Sequence, residues 1–142
     1  CTAIPALQSL EAIVTEVTIP EFRRLAAATM SEAELQQHVL DLAAQLGYIA
    51  YHPRPGRTAH GWRTPLTGTP GFPDLVLARE ARPGMPDRLP RLVFVELKSA
   101  RGQVGRWQEV WLATLRDACT DTRVELWRPR DLVEGRVLEV LR

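Results

Sequence analysis

The chain has 142 residues, of which 45% are hydrophobic and 25% charged, values typical of a globular protein with one core. No apolar run reaches the roughly 20 residues of a membrane helix, and the first residues lack the basic start and apolar block of a signal peptide. Two cysteines, Cys1 and Cys119, exclude a zinc site built on CxxC pairs and favour a reducing, cytoplasmic setting. The net charge of +1 is too small to indicate a nucleic-acid partner without local clustering of charge.

Residues 1–30 are predicted to form an N-terminal extension that packs on the domain or on a partner chain, and residues 31–142 to form a single domain. Residues 13–19 fit either a short strand or a ragged helix, and Pro20 opens one or two helical turns. We find no catalytic signal in this segment.

A helix is predicted to follow Ser31, because Ser31 and Glu34 have the spacing of a capping box. Gly47 ends this helix as a C-cap. Its apolar stripe comprises Leu35, Val39, Leu42 and Leu46. Glu32 lies on the same inward stripe, and Gln36 lies one turn further along. A buried carboxylate and amide are costly without a partner or a function.

The chain next forms a short strand at residues 48–51 and then a long loop at 52–72 without predicted secondary structure. Basic side chains are interleaved with an aromatic one in this loop: Arg54, Arg57, His60, Trp62 and Arg63. This mixture suits a phosphate backbone and a base face, and Trp62 is the best candidate for stacking on a base. A surface loop with solvated arginines fits the composition equally well.

Two apolar strands follow the loop. The sequence Gly-Phe-Pro-Asp at 71–74 is a turn that leads into a buried strand, and residues 79–90 form a hairpin-like or irregular connection. Residues 91–98 are apolar nearly throughout, as is typical of a central strand covered on both faces. Glu96 and Lys98 end this strand on one face, and Leu97 points the other way into the core.

These strand ends carry a possible metal site. If the two strands pair, Asp74 and Glu96 converge, and with a backbone carbonyl such as that of Leu97 they offer the hard oxygen ligands that Mg²⁺ prefers. Lys98 would then position an attacking water or offset charge on phosphorus. An ordinary solvated Glu–Lys pair is the alternative. Lys98 is the only lysine of the chain, which has 17 arginines. Either a bias of the source genome towards arginine spared this position by chance, or the position needs an amine.

A second helix is predicted at 105–118, with its apolar stripe comprising Trp107, Trp111, Leu115 and Ala118. Trp107, Trp111 and Trp127 are expected in the core, and Arg101 and Arg106 either grip a phosphate backbone or serve solubility. A strand at 124–127 follows, and Asp131 caps a last helix, although residues 136–141 also fit an edge strand. The order of elements indicates the α/β class, a mixed central β-sheet flanked by helices.

This ordered set resembles the VRR-NUC family of the PD-(D/E)xK nuclease superfamily over about residues 31–130. The matching positions are Ser31-Glu32, Leu35-Gln36, Gly71-Phe72-Pro73-Asp74, Glu96-Leu97-Lys98, Gln108, Trp111-Leu112 and Leu115. The resemblance implies a restriction-endonuclease-like core of α-β-β-β-α-β order. It also implies a Mg²⁺-dependent DNA endonuclease, with Mn²⁺ as a substitute, that acts on branched DNA such as a junction or flap.

The resemblance also implies a role for each matching residue. Asp74, Glu96 and the Leu97 carbonyl would hold the metal, Lys98 would serve the nucleophilic water, and Gln108 would support the site. Glu32 would bind metal or water, and its phase on the inward stripe favours it over Glu34. Candidate DNA-binding residues are Gln36, Arg54, Arg57, His60, Trp62, Arg63, Arg101 and Arg106.

The expected setting is DNA repair or recombination in the cytoplasm of a bacterium or of a phage-infected cell, with a homodimer acting on two strands. Neither a membrane nor a small-molecule cofactor is expected. Two other hypotheses stay open. One is a catalytically silent DNA-binding module on the same fold, which has no need for buried like charges. The other is an assembly protein with residues 1–30 as its interaction arm.

Overall fold

The computed structural model describes residues 18–53, 56–63 and 67–142, so most of the predicted N-terminal extension lies outside the described residues. In chain order the elements are α1 (Ile19–Thr29), α2 (Glu32–Gln45), β1 (Ile49–Tyr51), β2 (Gly56–Thr58), β3 (Gly61–Arg63), β4 (Leu75–Arg79), β5 (Arg91–Leu97), α3 (Arg106–Ala118), β6 (Arg123–Trp127), α4 (Pro129–Val133) and α5 (Arg136–Leu141). No helix in these ranges is long and apolar enough to cross a membrane.

Four strands form a mixed sheet in the order β1-β4-β5-β6. β4 pairs antiparallel with β1 and β5, and β5 pairs parallel with β6. β5 is therefore a central strand, as its nearly continuous apolar run predicted. β4 and β5 are consecutive and antiparallel, so residues 80–90 are a hairpin connection, as expected. The protein is thus mixed α/β, with the predicted mixed sheet flanked by helices.

The two faces of the sheet are covered to different extents. One face carries the fully buried core, to which α2 and α5 contribute Leu35, Val39, Ala43, Val137 and Leu141. The other face is covered by α3, which packs mainly on β6 and buries only Leu112. Trp127 is fully buried as predicted and Trp111 partly buried, but the core position predicted for Trp107 is wrong, since 49% of this residue is exposed.

Helix α2 begins as the sequence predicted. The Glu34 N–H donates to Ser31 Oγ (3.2 Å), and the Glu34 carboxylate accepts from the Ser31 N–H (2.8 Å). This reciprocal pair satisfies two backbone groups that the first helical turn leaves open. At the other end Leu46 is the C-cap, and Gly47 follows with a φ of +82°, the left-handed conformation that glycine adopts most easily.

The prediction that residues 52–72 lack secondary structure is wrong. β2 and β3 form a small antiparallel hairpin within this loop, in which Arg57 pairs with Trp62. Gly61 follows the turn with a φ of +102°. Strands of three residues show too little alternation to be recognised from their sequence pattern.

The C-terminal region also differs from its prediction. Arg128, not Asp131, is the N-cap of α4, and Asp131 reaches back to accept from the Arg128 N–H (2.8 Å). Gly135 has a φ of +85° and separates α4 from α5, so residues 136–141 are a helix and the edge-strand alternative is wrong. Helix α1 packs against α4 and spans 11 residues, longer than the predicted one or two turns.

Candidate active site

Asp74 and Glu96 come together where β4 begins and β5 ends. Leu75 pairs with Val95 at this end of the β4–β5 ladder, so Asp74 lies beside the last residues of β5. The Asp74 carboxylate takes the place of a backbone partner, because its Oδ2 accepts from the Leu97 N–H at 2.8 Å. The convergence of the two carboxylates expected from strand pairing is therefore observed.

Glu96 is fully buried, yet only one of its two carboxylate oxygens has partners. Oε1 accepts a short hydrogen bond from Gln108 Nε2 and lies 3.1 Å from Lys98 Nζ. Oε2 is buried and receives no hydrogen bond within the described residues, although the Asp74 carboxyl lies within hydrogen-bonding reach of Glu96. Glu96 and Lys98 thus share one face of the sheet while Leu97 lies in the core, as predicted. A buried oxygen without a partner is unusual, because it lost its water without compensation.

The ionisation of the two carboxyl groups reflects their burial and their mutual repulsion. Burial raises the pKa of Glu96 to about 7, with the nearby negative charge of Asp74 raising it further and Lys98 lowering it. Burial also raises the pKa of Asp74, against the lowering effect of the Leu97 N–H and of Lys98. Two like charges that share a buried site destabilise each other, so a cation between them would relieve the repulsion.

Glu32 reaches this region from the first residue of α2. Its Oε1 accepts from the Ser99 N–H at 3.2 Å, and its charge contributes to the raised pKa of Asp74. Glu34 is instead engaged in the capping box, so the geometry favours Glu32 over Glu34. The expectation that Glu32 faces inward is wrong: the residue is exposed at the rim, because the first residue of a helix extends beyond the surface that its later turns cover.

Gln108 links helix α3 to the carboxylates. Its Oε1 accepts from the Gly105 N–H at 2.8 Å, which leaves the amide NH₂ group to face Glu96. Gly71 brings the loop before Asp74 against the same turn of α3, since an added Cβ would lie 2.6 Å from the carbonyl carbon of Trp107. Gly71 also has a φ of +89°. Only glycine permits this approach, which holds Asp74 and Gln108 in one unit.

Phe72 anchors the same loop through aromatic contacts. Its ring lies edge-on to Phe94, with 5.9 Å between centroids, and to Trp111, with 5.0 Å. The indole N–H of Trp111 donates to the Thr69 carbonyl at 3.3 Å. These contacts fix the loop on both the sheet and α3, and they explain the apolar side chain before Pro73 in the Gly-Phe-Pro-Asp turn.

The predicted DNA-binding residues lie mostly on the surface. Arg57 and Trp62 are exposed cross-strand neighbours in the β2–β3 hairpin, and Trp62 is 71% exposed. His60, Arg101 and Arg106 are exposed, whereas Gln36 is partly buried. Arg54 lies outside the described residues, and only the backbone of Arg63 is described. Their roles in DNA binding stay predictions.

Three residues near the site were not identified from the sequence: Ser99, Gly102 and Arg128. Ser99 binds Glu32 through its backbone, and Arg128 binds the carbonyls of Ser99 and Gly102. Backbone contacts depend little on side-chain type, so the sequence carries no signal for Ser99. Arg128 is one of 17 arginines and stands in no recognisable motif.

Within residues 18–53, 56–63 and 67–142, no cluster of three or more His, Cys, Asp or Glu side chains is close enough to hold a metal ion. Asp74 and Glu96 therefore offer two carboxylates, with Glu32 at a greater distance. Comparisons with family models, with curated proteins and with solved structures found no match to this chain. The resemblance to the VRR-NUC family stays a prediction.

Proposed function

We propose that this protein is a metal-dependent DNA endonuclease that hydrolyses phosphodiester bonds. The observation that carries the proposal is Glu96, whose buried Oε2 lacks a partner beside the second carboxylate of Asp74. Burying two mutually repelling carboxyl groups costs stability and contributes nothing to the core. Such an arrangement is understandable as a cation site and has no evident structural purpose.

The residues present fit Mg²⁺, with Mn²⁺ as a substitute. Glu96 Oε2 and the Asp74 oxygen not bound to Leu97 are hard ligands, and Mg²⁺ needs only one or two protein carboxylates because it keeps several waters. The Leu97 carbonyl is a third candidate ligand, because the N–H and C=O of a strand residue face the same neighbour and the Leu97 N–H faces Asp74. A bound metal would acidify a water and polarise the scissile phosphate.

The surrounding side chains have distinct roles in this proposal. Gln108 and Lys98 both engage Glu96 Oε1, which leaves Oε2 as the ligand atom. The Lys98 ammonium is held in place by this ion pair and donates to the attacking water or to a phosphate oxygen. Glu32, held by the Ser99 N–H at the rim, would bind the metal or a water beside it.

The order of elements supports the same proposal. Helix α2, strands β1, β4 and β5, helix α3 and strand β6 follow one another along the chain, with the β2–β3 hairpin inserted, and this order is compatible with the α-β-β-β-α-β core that the resemblance implies. Selectivity for branched DNA, a homodimer, and a cytoplasmic role in repair or recombination are proposed from the resemblance alone. The exposed Arg57 and Trp62 would contact the DNA backbone and a base.

The first test is cleavage of a labelled four-way junction, a flap and a plain duplex in Mg²⁺, Mn²⁺ or EDTA. We expect metal-dependent cleavage, and we expect Lys98→Ala to lower kcat by about 10²–10³-fold, the effect of losing one preorganised donor to a developing charge. The matched control is Arg130→Ala, which removes an exposed cation whose i,i+4 ion pair with Glu134 contributes little to stability.

The other hypotheses predict different results. Binding of the DNA without cleavage in either metal would replace the nuclease with a silent DNA-binding module. Neither binding at low salt nor cleavage would favour an assembly protein. Equal cleavage by wild type and Lys98→Ala would mean that the active site lies elsewhere.

A further inference from the structure

Arg128 reaches back from the end of β6 to the turn that follows Lys98. Its Nη1 donates to the carbonyls of Ser99 (2.7 Å) and Gly102 (2.9 Å), the two ends of that turn. The turn is closed by a hydrogen bond from the Gly102 N–H to the Ser99 carbonyl at 3.3 Å. The side chain of Arg128 is therefore a clamp across residues 99–102.

The clamp itself rests on a rigid support. The backbone N–H of Arg128 donates to the Asp131 carboxylate, and the preceding Trp127 carbonyl accepts from the Lys98 N–H at 3.0 Å. Arg128 is partly buried, and within the described ranges it forms no ion pair. Its charge is thus directed at the turn and not at a neighbouring carboxylate.

The Glu32 carboxylate binds to the backbone of the same turn. The Ser99 N–H donates to Glu32 Oε1, and a Cβ added at Gly102 would lie 3.1 Å from that oxygen. The backbone of the turn therefore approaches Glu32 from two sides. Any change in the shape of the turn would move the Ser99 N–H, the Gly102 backbone that lies against Glu32, or both.

We infer that Arg128 is a positioning residue that holds Glu32 in place through the turn at 99–102. This inference rests on the proposed function for its consequence, a correctly placed Glu32 at the metal site. Without the guanidinium, the carbonyls of Ser99 and Gly102 would form hydrogen bonds with water instead, and the Ser99 N–H would lose its fixed direction. Glu32 would then be free to leave the site. The effect of Arg128 should therefore pass through Glu32 and through no other carboxylate.

The test compares Arg128→Met, Arg128→Lys, Glu32→Gln and the double variant Arg128→Met/Glu32→Gln. Nη1 alone makes both hydrogen bonds, and the amine of lysine ends one bond short of its position, so lysine is expected to restore only part of the loss. Mn²⁺ binding is measured without DNA by the loss of the free-ion EPR signal, and kcat is measured at saturating DNA. Arg130→Met on the exposed side of α4 is the control.

We expect Arg128→Met to weaken Mn²⁺ binding and to lower kcat by about tenfold, the usual effect of removing an outer-shell partner of a metal site. In the Glu32→Gln background the same change should cost nothing more, because the two residues act as one unit. Equal losses in both backgrounds would overturn the inference and leave Arg128 a purely structural residue.

A second measurement separates this inference from the proposed function. The ¹⁵N–¹H resonance of the Ser99 amide reports its bond to Glu32 without any metal, and we expect it to move both in Glu32→Gln and in Arg128→Met. An unmoved resonance in Arg128→Met would overturn the inference by itself. If wild type binds no Mn²⁺ and cuts no DNA while the resonance moves as expected, the proposed function fails and the positioning of Glu32 by Arg128 stands.

Discussion

Two buried charges lie at opposite ends of the central strands, and they are treated differently. Arg79 ends β4 and is 7% exposed, with its Nη atoms donating to the carbonyls of Leu46, Leu89, Leu141 and Arg142. Its guanidinium also lies 4.8 Å from the centroid of the Tyr48 ring. Glu96 near the end of β5 is more deeply buried, yet one of its oxygens has no partner.

Under the proposed function, the difference separates a charge that serves stability from one that serves chemistry. At Arg79, four carbonyls from two helix ends and a loop are satisfied at once, and only Nε lacks a partner. Cations near helix C-termini also interact favourably with the helix dipole. At Glu96, burial and the repulsion from Asp74 raise the cost of the charge, and Lys98 offsets only part of it. A site that must receive a cation has to leave ligand atoms open.

Removing the charge of Arg79, whose hydrogen bonds are almost all made, should change the free energy of unfolding most. Arg79→Met should lower the free energy of unfolding by about 3 kcal/mol, since four buried or partly buried carbonyls lose a donor and an unsatisfied buried group costs about 1–3 kcal/mol. The measurement is urea unfolding followed by circular dichroism in EDTA, where no metal contributes. A loss below about 1 kcal/mol would mean that water replaces the guanidinium, and the contrast with Glu96 would fail.

In the absence of metal, Glu96→Gln should raise the free energy of unfolding, whereas Arg79→Met should lower it. Because the fold raises the pKa of Glu96 from 4.5 to about 7, the wild-type side chain loses stability as the pH rises through that range. Glutamine does not ionise, so the free energy of unfolding of Glu96→Gln should be about 2–3 kcal/mol higher than that of wild type at pH 8. The gain should shrink as the pH falls from 7 and vanish only well below the unfolded pKa of 4.5, where Glu96 is neutral in both the folded and the unfolded states.

Added metal should stabilise the protein only while Glu96 is present. Mg²⁺ at a hundredfold excess over its Kd should stabilise wild type at pH 8 by about 2.7 kcal/mol and leave Glu96→Gln nearly unchanged. Both proteins are compared in the same unfolding assay with EDTA as the reference. A Glu96→Gln protein that is less stable than wild type at pH 8 without metal would show that Glu96 is a structural charge after all.

The smallest effect is expected for Tyr48→Phe. The hydroxyl of Tyr48 donates to the Leu141 carbonyl at 3.0 Å, and Arg79 donates to the same carbonyl at 3.1 Å. Phenylalanine keeps the ring beside the guanidinium, so we expect a loss of only about 1 kcal/mol in unfolding free energy and unchanged cleavage. A larger loss would show that Arg79 needs Tyr48 to hold its position.

Part of the site was predictable because its rules are local. Glu96 and Lys98 share a face since strand side chains alternate with a period of two. The capping box occupies Glu34, so Glu32 is the carboxylate of the first turn of α2 that the cap does not use. Even the burial of Leu97 and Trp127 follows from strand patterning. Such features depend on a few neighbouring residues, so the sequence alone determined them.

Other features were decided by the tertiary structure. Glu32 meets Ser99 across 67 residues, Asp74 meets Leu97 across 23, and Arg128 meets Ser99 across 29. Each of these contacts uses a backbone atom as one partner, and backbone atoms leave no signature in side-chain patterns. The exposure of Trp107 likewise depends on where α3 lies over the sheet, and not on its own periodicity. The sequence indicated helices α2 and α3, the main strands and the carboxylates that could act, whereas it left the C-terminal helices open. Only the folded chain decided which backbone groups hold those carboxylates in place, because long-range contacts form when separate elements pack together.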